Sequence, residues 1–330
     1  MRVKRIATHL PATTVAVSGL ARTEDLDEQA AATLDRLGVH EVRDAGTATE
    51  VDLAHAAAVT ACADAGVDPA GLDAVILVQG RAPQYLLSSE AARLQHAVGA
   101  DRAFTVGVGD LGCVSSSAAL TVARGLFAAH PGWRSALVAM GVRTAAPARY
   151  RAPMTVLGDG GQAAVLTPDD GPWRLVDQDL RVNGGYADLF RIRYRETGAP
   201  GWREECTDLP GYSFRLAVES RAQLTGMTRE LLARNGCGPG DVAWLMQNLS
   251  AGAIAFWQRA LGVELLGVCA ANLRRYGHLG PADVLLNLDH AAPLLRAGDR
   301  VLVLNSSPVA AWSCALFEYV PDRTPERTPR

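Results

Sequence analysis

The feature that most constrains the fold is a regular alternation of short apolar runs with amphipathic helical patterns. In the first half, the apolar runs cover residues 73–80, 103–110 and 135–142, and the helical patterns cover 51–66, 88–100 and a segment from Cys113 to about Ala129. Runs that are apolar at nearly every position indicate strands buried on both faces of a sheet. The alternation therefore predicts an α/β protein with helices on both sides of its sheet.

The second half of the chain repeats this order. Its helical patterns cover 213–236, 249–262 and 280–295, and its strand-like runs cover 242–248, 300–307 and 310–320. The repetition predicts two duplicated α/β halves, joined in the linker at 167–173, with an N-terminal domain of residues 1–170 and a C-terminal domain of residues 171–330. The residues from about 321 onward are polar and rich in proline, so we expect a disordered tail.

Composition excludes several classes of function. A chain of 330 residues can build a full core, and its net charge of −3 gives nucleic acid no electrostatic attraction. The N-terminus begins with basic residues, but Thr and Pro interrupt its apolar residues, which argues against a signal peptide. No run approaches the roughly 18 apolar residues of a membrane span. We therefore expect a cytoplasmic protein that binds neither nucleic acid nor membranes.

One cysteine stands apart from the others. The six cysteines are scattered and form no CxxC pair, which argues against a disulfide framework or a zinc site. Cys113, in DLGCVSSSAAL, follows Gly112 where a strand turns into a helix. The partial positive charge of a helix N-terminus lowers a thiol pKa and so activates the sulfur. Cys113 is therefore a candidate nucleophile, although a buried structural cysteine remains the alternative from context alone.

A histidine with a carboxylate behind it is the second candidate. His278 lies in RRYGHLGPAD, a loop with flanking glycines ahead of a predicted helix, where functional side chains of α/β proteins collect. Asp283 follows five residues later and could accept a ring N–H, which would fix the tautomer and raise the basicity of the imidazole. From spacing alone, Asp283 is more simply a favourable charge in the first turn of that helix.

The glycine-rich segment 157–166, LGDGGQAAVL, resembles a phosphate-binding loop only superficially. It lacks the GK[ST] ending, and a strand rather than a helix follows it. We therefore interpret it as a tight turn.

Several stretches together resemble the β-ketoacyl-acyl carrier protein synthase III family of the thiolase fold. They are LDRLGVHEVR, PQYLLSSEAARLQHAVGA, LGCVSSSAAL, LGDGGQAAVL and LFEYV, and the resemblance covers nearly the whole chain. It implies a five-layered αβαβα fold built from two duplicated halves, a homodimer, and an acyl group carried on Cys113. It also implies that the phosphopantetheine of an acyl carrier protein, or coenzyme A, delivers that acyl group, with no permanently bound cofactor.

Two positions depart from this family. Gln247, in MQNLS, stands where the family has a histidine, and His278 stands where it has an asparagine. In the family, this His/Asn pair stabilises the enolate formed when a malonyl thioester loses CO2. Gln247 can donate a hydrogen bond but cannot act as a base, so we expect that half-reaction to be impaired. With Asp283 behind His278, the chain resembles the Cys-His-Asp acyltransferases of natural-product pathways.

The resemblance assigns further positions one by one. Arg36 and Arg151 match residues that contact the coenzyme A nucleotide, but Ala32 stands where a tryptophan stacks on adenine, which favours a carrier protein as donor. Arg215 lies near the family's basic docking surface, although taken alone it is more simply an ordinary exposed arginine. Leu87 matches a gate that crosses the dimer interface, so the acyl pocket is expected to accept a branched or cyclic group.

The oxyanion hole is only partly defined by the resemblance. The Cys113 backbone N–H is expected to be one donor, and the second normally comes from a turn that here reads NSSPVAAW. Pro308 has no N–H to donate, so Ser307 or Val309 would have to replace it.

The sequence thus predicts an acyltransferase that transfers an acyl group without decarboxylative condensation. The acyl group passes from a carrier-protein or coenzyme A thioester through acyl-Cys113 to a second carrier thiol, or to a hydroxyl or amine of a polyketide, antibiotic or other metabolite. His278, oriented by Asp283, would be the base. One alternative is a decarboxylating ketoacyl synthase that primes polyketide or fatty-acid synthesis. The other is an inactive partner subunit of a heterodimeric synthase, suggested by Gln247 and Pro308.

Overall fold

The six apolar runs of the sequence lie in strands of one nine-stranded sheet, and the other strands of the described residues form three sheets of two strands each. The structure is a computed structural model, and it describes residues 1–79, 83–196 and 198–321. The strands are β1 (Arg2–His9), β2 (Thr13–Ala16), β3 (Glu41–Asp44), β4 (Ala74–Val78), β5 (Phe104–Val108), β6 (Ala136–Val142), β7 (Tyr150–Arg151), β8 (Thr155–Val156), β9 (Gly160–Thr167), β10 (Trp173–Val182), β11 (Phe190–Ile192), β12 (Glu204–Cys206), β13 (Val242–Met246), β14 (Arg300–Ser307) and β15 (Ala311–Tyr319). The tail predicted to be disordered lies outside the described residues, apart from Pro321.

Helices cover both faces of this sheet. They are α1 (Leu20–Thr23), α2 (Glu28–Asp35), α3 (Glu50–Ala65), α4 (Glu90–Val98), α5 (Ser115–Ala129), α6 (Ala217–Arg234), α7 (Ala251–Leu261), α8 (Val268–Tyr276) and α9 (Asp283–Ala291). A 3₁₀ turn leads into α5 and another into α9, and a π-helical turn precedes α6.

The sheet consists of two units with the same strand arrangement. Its order is β13-β14-β15-β10-β1-β9-β6-β4-β5. In the first unit, β4 is parallel to β5 and β6, and β9 pairs antiparallel to both β6 and β1. In the second, β13 is parallel to β14, and β15 pairs antiparallel to both β14 and β10. Strand β13 corresponds to β4, and a parallel bridge from Trp244 of β13 to Leu265 corresponds to the pairing of β4 with β5. This correspondence supports the predicted duplication of an α/β unit.

The two units meet along β1 and β10, which share only the pairs Arg2–Arg174 and Val3–Trp173. The central helices α5 and α9 each contact strands of both units, whereas α3 packs on β1, β6 and β9, and α6 packs on β10 and β15. The predicted domain boundary at residue 170 falls between β9 and β10 and stays a prediction.

Strands β1 and β10 were not predicted from the sequence. Charged residues interrupt both segments, RVKRIATH and WRLVDQDLRV, and many of those residues remain partly exposed. Cross-strand ion pairs such as the one between Arg174 and Glu318 stabilise these charged side chains within the sheet. The two segments therefore do not read as continuous apolar runs, which is the pattern from which the other strands were predicted.

The glycine-rich segment 157–166 is not simply a tight turn, because Gly160 and Gly161 already belong to β9. A Cβ on Gly161 would lie 1.9 Å from the Leu53 carbonyl oxygen, and one on Gly141 of β6 would lie 1.8 Å from that of Glu50. These glycines allow the alanine-rich helix α3 to lie directly against the sheet.

One expectation about membrane spans was wrong. The window Gly112–Ala129 has 18 residues with a mean hydropathy of 1.2, so its length and composition alone would suit a span. This window contains α5, which packs between β4 and β10, and 44% of the window is buried inside the fold. Its apolar character thus matches its place as a central helix.

Gly141→Ala should destabilise the protein by roughly 3 kcal/mol or more, because the added methyl group overlaps the α3 backbone. Chemical denaturation measures the free energy of unfolding. Gly125→Ala on the exposed face of α5 is the matched control, since no atom lies within 4 Å of its Cβ position. It should stabilise the protein by about 0.5–1 kcal/mol. Equal stability of the two variants would contradict the proposed close packing.

Candidate active site

The turn after β5 exposes Cys113 to a cavity. Asp110 and Gly112 have positive φ angles of 67° and 54°, so the chain reverses sharply before α5 begins. A Cβ on Gly112 would lie 2.5 Å from the Ser307 hydroxyl, so glycine is required there. Cys113 follows in the 3₁₀ turn that leads into α5, and only 5% of its surface is exposed.

The second half of the chain supplies His278. The His278 N–H donates to the Val156 carbonyl at 2.8 Å, and the Gly158 N–H donates to the His278 carbonyl at 3.2 Å. Gly277 precedes it with φ 63°, and a Cβ there would lie 2.5 Å from the Val156 oxygen. Backbone hydrogen bonds therefore hold the loop around His278 against the start of the glycine-rich segment 157–166 in the first half.

Cys113, His278 and Asp283 form a continuous buried chain. The Cys113 Sγ lies 3.1 Å from His278 Nε2, and His278 Nδ1 lies 2.6 Å from Asp283 Oδ2. Asp283 also accepts the Leu279 N–H on Oδ1 and the Asn248 N–H on Oδ2, each at 2.8 Å. Asp283 therefore does more than place a charge at the start of α9, because it holds the imidazole with Nε2 directed at the sulfur.

Charges in this chain favour a thiolate–imidazolium pair. Burial opposes ionisation of Cys113, but the charge and hydrogen bond of His278, with a further contribution from Arg151, hold its pKa below the usual range. Burial also opposes protonation of His278, but Cys113 and Asp283 together raise its pKa to about 9. Both shifts favour the thiolate, which is the nucleophilic form of the sulfur.

Three other cysteines have the opposite environment. Burial raises the pKa of Cys62 and Cys269 to about 11 and that of Cys314 to about 12. These three cysteines belong to the core. Cys206 ends β12, and it is half-buried like Cys237.

Gln247 is bound to the neighbouring strand. Its Nε2 donates to both the carbonyl and the hydroxyl oxygen of Ser306, and its Oε1 accepts the Ser306 N–H at 3.2 Å. Only 2% of its surface is exposed. The carboxamide thus joins the end of β13 to the end of β14, and the hydrogen bond expected from Gln247 to substrate is already used within the protein.

The predicted oxyanion-hole donors lie in different hydrogen-bonding environments. The Cys113 carbonyl accepts a hydrogen bond from Asn305 Nδ2 at 2.8 Å, whereas its N–H has no backbone acceptor within the described residues. The Val309 N–H donates to Ser307 Oγ at 3.3 Å, so Val309 is the weaker of the two predicted substitutes for Pro308. Ser307 keeps its own hydroxyl hydrogen as a possible second donor.

Two cavities meet at the Cys113–His278 pair. A cavity of about 590 Å³ contains Cys113 and is walled by the hairpin β11–β12, with the aromatic side chains Phe190, Tyr194 and Trp202. A smaller cavity of about 240 Å³ contains His278 and is lined by Tyr212, Leu216, Phe256 and Trp257. Three residues line both cavities, and they are Arg151, Ser307 and Pro308.

Arg151 is held in an ion pair on the shared wall. Its Nε lies 2.5 Å from Glu204 Oε1, and its Nη2 donates to Oε2 at 2.7 Å. The guanidinium predicted to contact a nucleotide is thus already paired with a carboxylate of β12.

Three predicted site residues lie away from the Cys113–His278 pair. Arg36 is exposed at the end of α2, and Arg215 is exposed and paired with Asp208. The Leu87 side chain is fully exposed and does not line the large cavity of its own chain, whereas Leu86 does.

Asn248 and Asn305 were missed by sequence reasoning. Both are buried beside the reactive groups. The Asn248 backbone N–H donates to the Asp283 carboxylate, and the Asn305 side chain donates to the Cys113 carbonyl. Asn248 directly follows Gln247 in MQNLS, which was the one available signal.

Sequence relatives match almost the full length of the chain, although no protein-family model matches it. β-Ketoacyl-[acyl-carrier-protein] synthase III of Desulfitobacterium hafniense is 26% identical over 304 residues, which cover 87% of this chain and 88% of that protein. The enzyme of the same name from Roseiflexus castenholzii is 27% identical over 293 residues, covering 86% and 88%. The chain is similar in sequence to β-ketoacyl-[acyl-carrier-protein] synthase III over most of its length. The predicted resemblance is thereby confirmed.

Several solved structures have a fold similar to that of this chain. ChlB3, described as an acyltransferase, has a TM-score of 0.83 at 23% identity, covering 97% of this chain and 98% of that one. AbyA1, described as a tetronic acid condensing enzyme, has a TM-score of 0.77 at 25% identity, covering 96% and 99%. Synthase III of Pseudomonas aeruginosa has a TM-score of 0.80 at 22% identity, covering 97% and 98%. The predicted thiolase fold is confirmed.

Alkylation by iodoacetamide should reveal the ionised thiol. Cys113 should react at a lower pH than an ordinary thiol does, because His278 lowers its pKa in spite of burial. His278→Ala should move the midpoint of the rate–pH profile upward toward the ordinary thiol value. Peptide mapping by mass separates Cys113 from Cys206 and Cys237, the half-buried cysteines that also react. An unshifted Cys113 profile in His278→Ala would contradict the pairing.

Proposed function

We propose that the protein is an acyltransferase that works through an acyl-Cys113 thioester. The observation that carries this proposal is the buried chain from Cys113 Sγ through the His278 ring to Asp283 Oδ2, at the junction of two cavities. A nucleophile, a base and a carboxylate that orients the base are the components that covalent acyl transfer needs.

In the first half-reaction, the Cys113 thiolate attacks the carbonyl carbon of a pantetheine thioester. The Cys113 N–H and the Ser307 hydroxyl stabilise the negative oxygen of the tetrahedral intermediate. The bond from the carbonyl carbon to the pantetheine sulfur then breaks, and His278 donates its Nε2 proton to the departing thiolate. The products are acyl-Cys113, a free pantetheine thiol and a neutral imidazole.

The second half-reaction uses the histidine as a base. Burial lowers the His278 pKa, and the Cys113 thiolate is first among the groups that raise it. Acylation removes that negative charge, so the imidazole stays neutral and can accept a proton. It takes the proton of an acceptor thiol, hydroxyl or amine, whose heteroatom attacks the acyl carbon. The Cys113–acyl bond breaks, and the thiolate–imidazolium pair forms again.

Transfer without decarboxylation is supported by the hydrogen bonds that Gln247 makes within the protein. Its amide donors are bound by Ser306, and His278 is the only histidine among the described residues that line the two cavities. A single imidazole can serve the proton transfers of acyl exchange. The enolate of a malonyl thioester would lack the second strong donor that it requires.

Decarboxylative condensation is the second candidate. It is favoured by the names of the sequence relatives, which are β-ketoacyl synthases, and by the description of AbyA1 as a condensing enzyme. The nucleophile and the first half-reaction are the same in both cases, so the two candidates differ only in what attacks acyl-Cys113.

We further propose that the donor is an acyl carrier protein in the cytoplasm rather than free coenzyme A. Arg151 is occupied by Glu204, and the small exposed Ala32 offers no ring to stack on adenine. Arg215 would contribute to carrier docking through its exposed position near Tyr212 and Leu216, which line the smaller cavity.

A homodimer would complete the acyl site. The edge strand β5 has no partner on its outer side within the described residues, and it presents the half-exposed Phe104 to solvent. Such an open edge is suited to pair with a second copy. The fully exposed Leu87 would then reach the large cavity of the partner subunit.

Intact-mass spectrometry with acyl-carrier proteins and acyl-coenzyme A tests the covalent intermediate. The wild-type protein should gain one acyl group, and Cys113→Ala should gain none. With malonyl-carrier protein as the second substrate, release of CO2 would establish the condensing candidate instead. A full acyl mass on Cys113→Ala would exclude this nucleophile, and no adduct with any donor would point to an inactive partner subunit.

Asp283→Asn should slow acyl transfer by roughly 10²- to 10⁴-fold, because the neutral amide no longer holds the imidazole in the required tautomer and charge state. Single-turnover transfer from preformed acyl-Cys113 isolates this step. His290→Ala, at the exposed end of the same helix, is the control and should keep the wild-type rate. A wild-type rate in Asp283→Asn would remove Asp283 from the mechanism.

A further inference from the structure

A line of buried asparagines runs from the catalytic carboxylate toward the surface. The Asn248 N–H donates to Asp283 Oδ2 at 2.8 Å, and the Asn248 side-chain oxygen accepts from Asn287 Nδ2 at 2.8 Å. Both asparagines are fully buried. Asn287 lies four residues after Asp283 on α9, so the two side chains project from neighbouring turns of one helix face.

Asn287 is the centre of this line. Its Nδ2 also donates to the carbonyl of Met246, the last residue of β13, at 2.7 Å. Its Oδ1 accepts from Asn272 Nδ2 on α8 at 2.8 Å. Asn272 is almost completely buried, and its Oδ1 lies 2.9 Å from Nδ1 of the exposed His290. One side chain thus connects α8, α9 and the end of β13.

Polar groups at this depth are costly unless each is bonded, and bonded networks fix geometry more sharply than apolar packing does. Asn287 is as fully buried as its chain neighbours on α9, Leu286 and Leu288. A leucine at position 287 has no hydrogen-bonding group, so it could not hold Met246 and Asn248 in a fixed position relative to Asp283. Amide side chains do not relay protons. The asparagines can therefore affect the reactive groups only by holding them in position.

We propose that Asn287 is a positioning residue for the Cys113–His278–Asp283 chain. It fixes the turn after β13, so that the Asn248 N–H stays on Asp283 Oδ2, the same oxygen that accepts His278 Nδ1–H. When that donor is lost, the carboxylate is free to rotate, the imidazolium is held less well, and the thiolate loses part of its stabilisation. The proposal rests on the proposed role of this chain in catalysis.

The rate–pH profile of Cys113 alkylation tests this inference, because a residue that only packs the core would not move it. Asn287→Leu should raise the apparent pKa of Cys113 by about one unit, which slows its alkylation about tenfold at pH values below the wild-type midpoint. His290→Ala, at the outer end of the line, should leave the profile at the wild-type value. An unchanged profile in folded Asn287→Leu would overturn the proposal.

A double-mutant cycle with Asn248→Ala adds a second criterion. If the two residues act in series, the double variant should shift the profile no further than the larger single change, whereas additive shifts would contradict the proposal. Where Asn287→Leu does not fold, Asn248→Ala alone should slow alkylation in the same direction, and an unshifted profile would again overturn it. An ordinary thiol profile in the wild-type protein would instead defeat the proposed function.

Discussion

The 3.1 Å contact between the Cys113 sulfur and the His278 ring is the interaction on which the rest of the structure depends. The two residues are 165 positions apart, and each comes from a different half of the duplicated fold. Neither half holds a reactive thiolate by itself, because burial alone raises a thiol pKa, as it does for Cys62. The arrangement of strands and central helices brings together the opposite charges that reverse this effect.

Close backbone approach makes the contact possible. Gly112 admits the Ser307 side chain beside the nucleophile, and Gly277 lets the histidine loop lie on the Val156 carbonyl. The glycine-rich segment 157–166 thus serves as the support of the histidine loop as well as the beginning of β9. Its glycines are explained by packing distances of the backbone and need no bound phosphate.

Sequence patterns predicted the elements that are buried on both faces and missed those that are not. The strands β4, β6 and β14 consist of nearly continuous apolar residues and were predicted, whereas β1 and β10 carry alternating charges and were not. For the site, Cys113 and His278 stood out through flanking glycines. Their partners could not be identified in this way, and they are Asn248, Asn287 and Asn305. No local sequence pattern distinguishes a buried, hydrogen-bonded asparagine from an exposed one in a loop or helix.

By itself, the sequence determined the α/β class, the duplication, and the chemical inventory of a cysteine, a histidine and an aspartate. These follow from local periodicity and from residue type, which need no knowledge of distant contacts. Only the tertiary structure decided which groups are used together. It joined Asp283 to the ring of His278, and it bound Gln247 to Ser306 and Arg151 to Glu204. These pairings depend on distances between separate elements, and hydrogen bonds and ion pairs vanish within an ångström or two of misplacement.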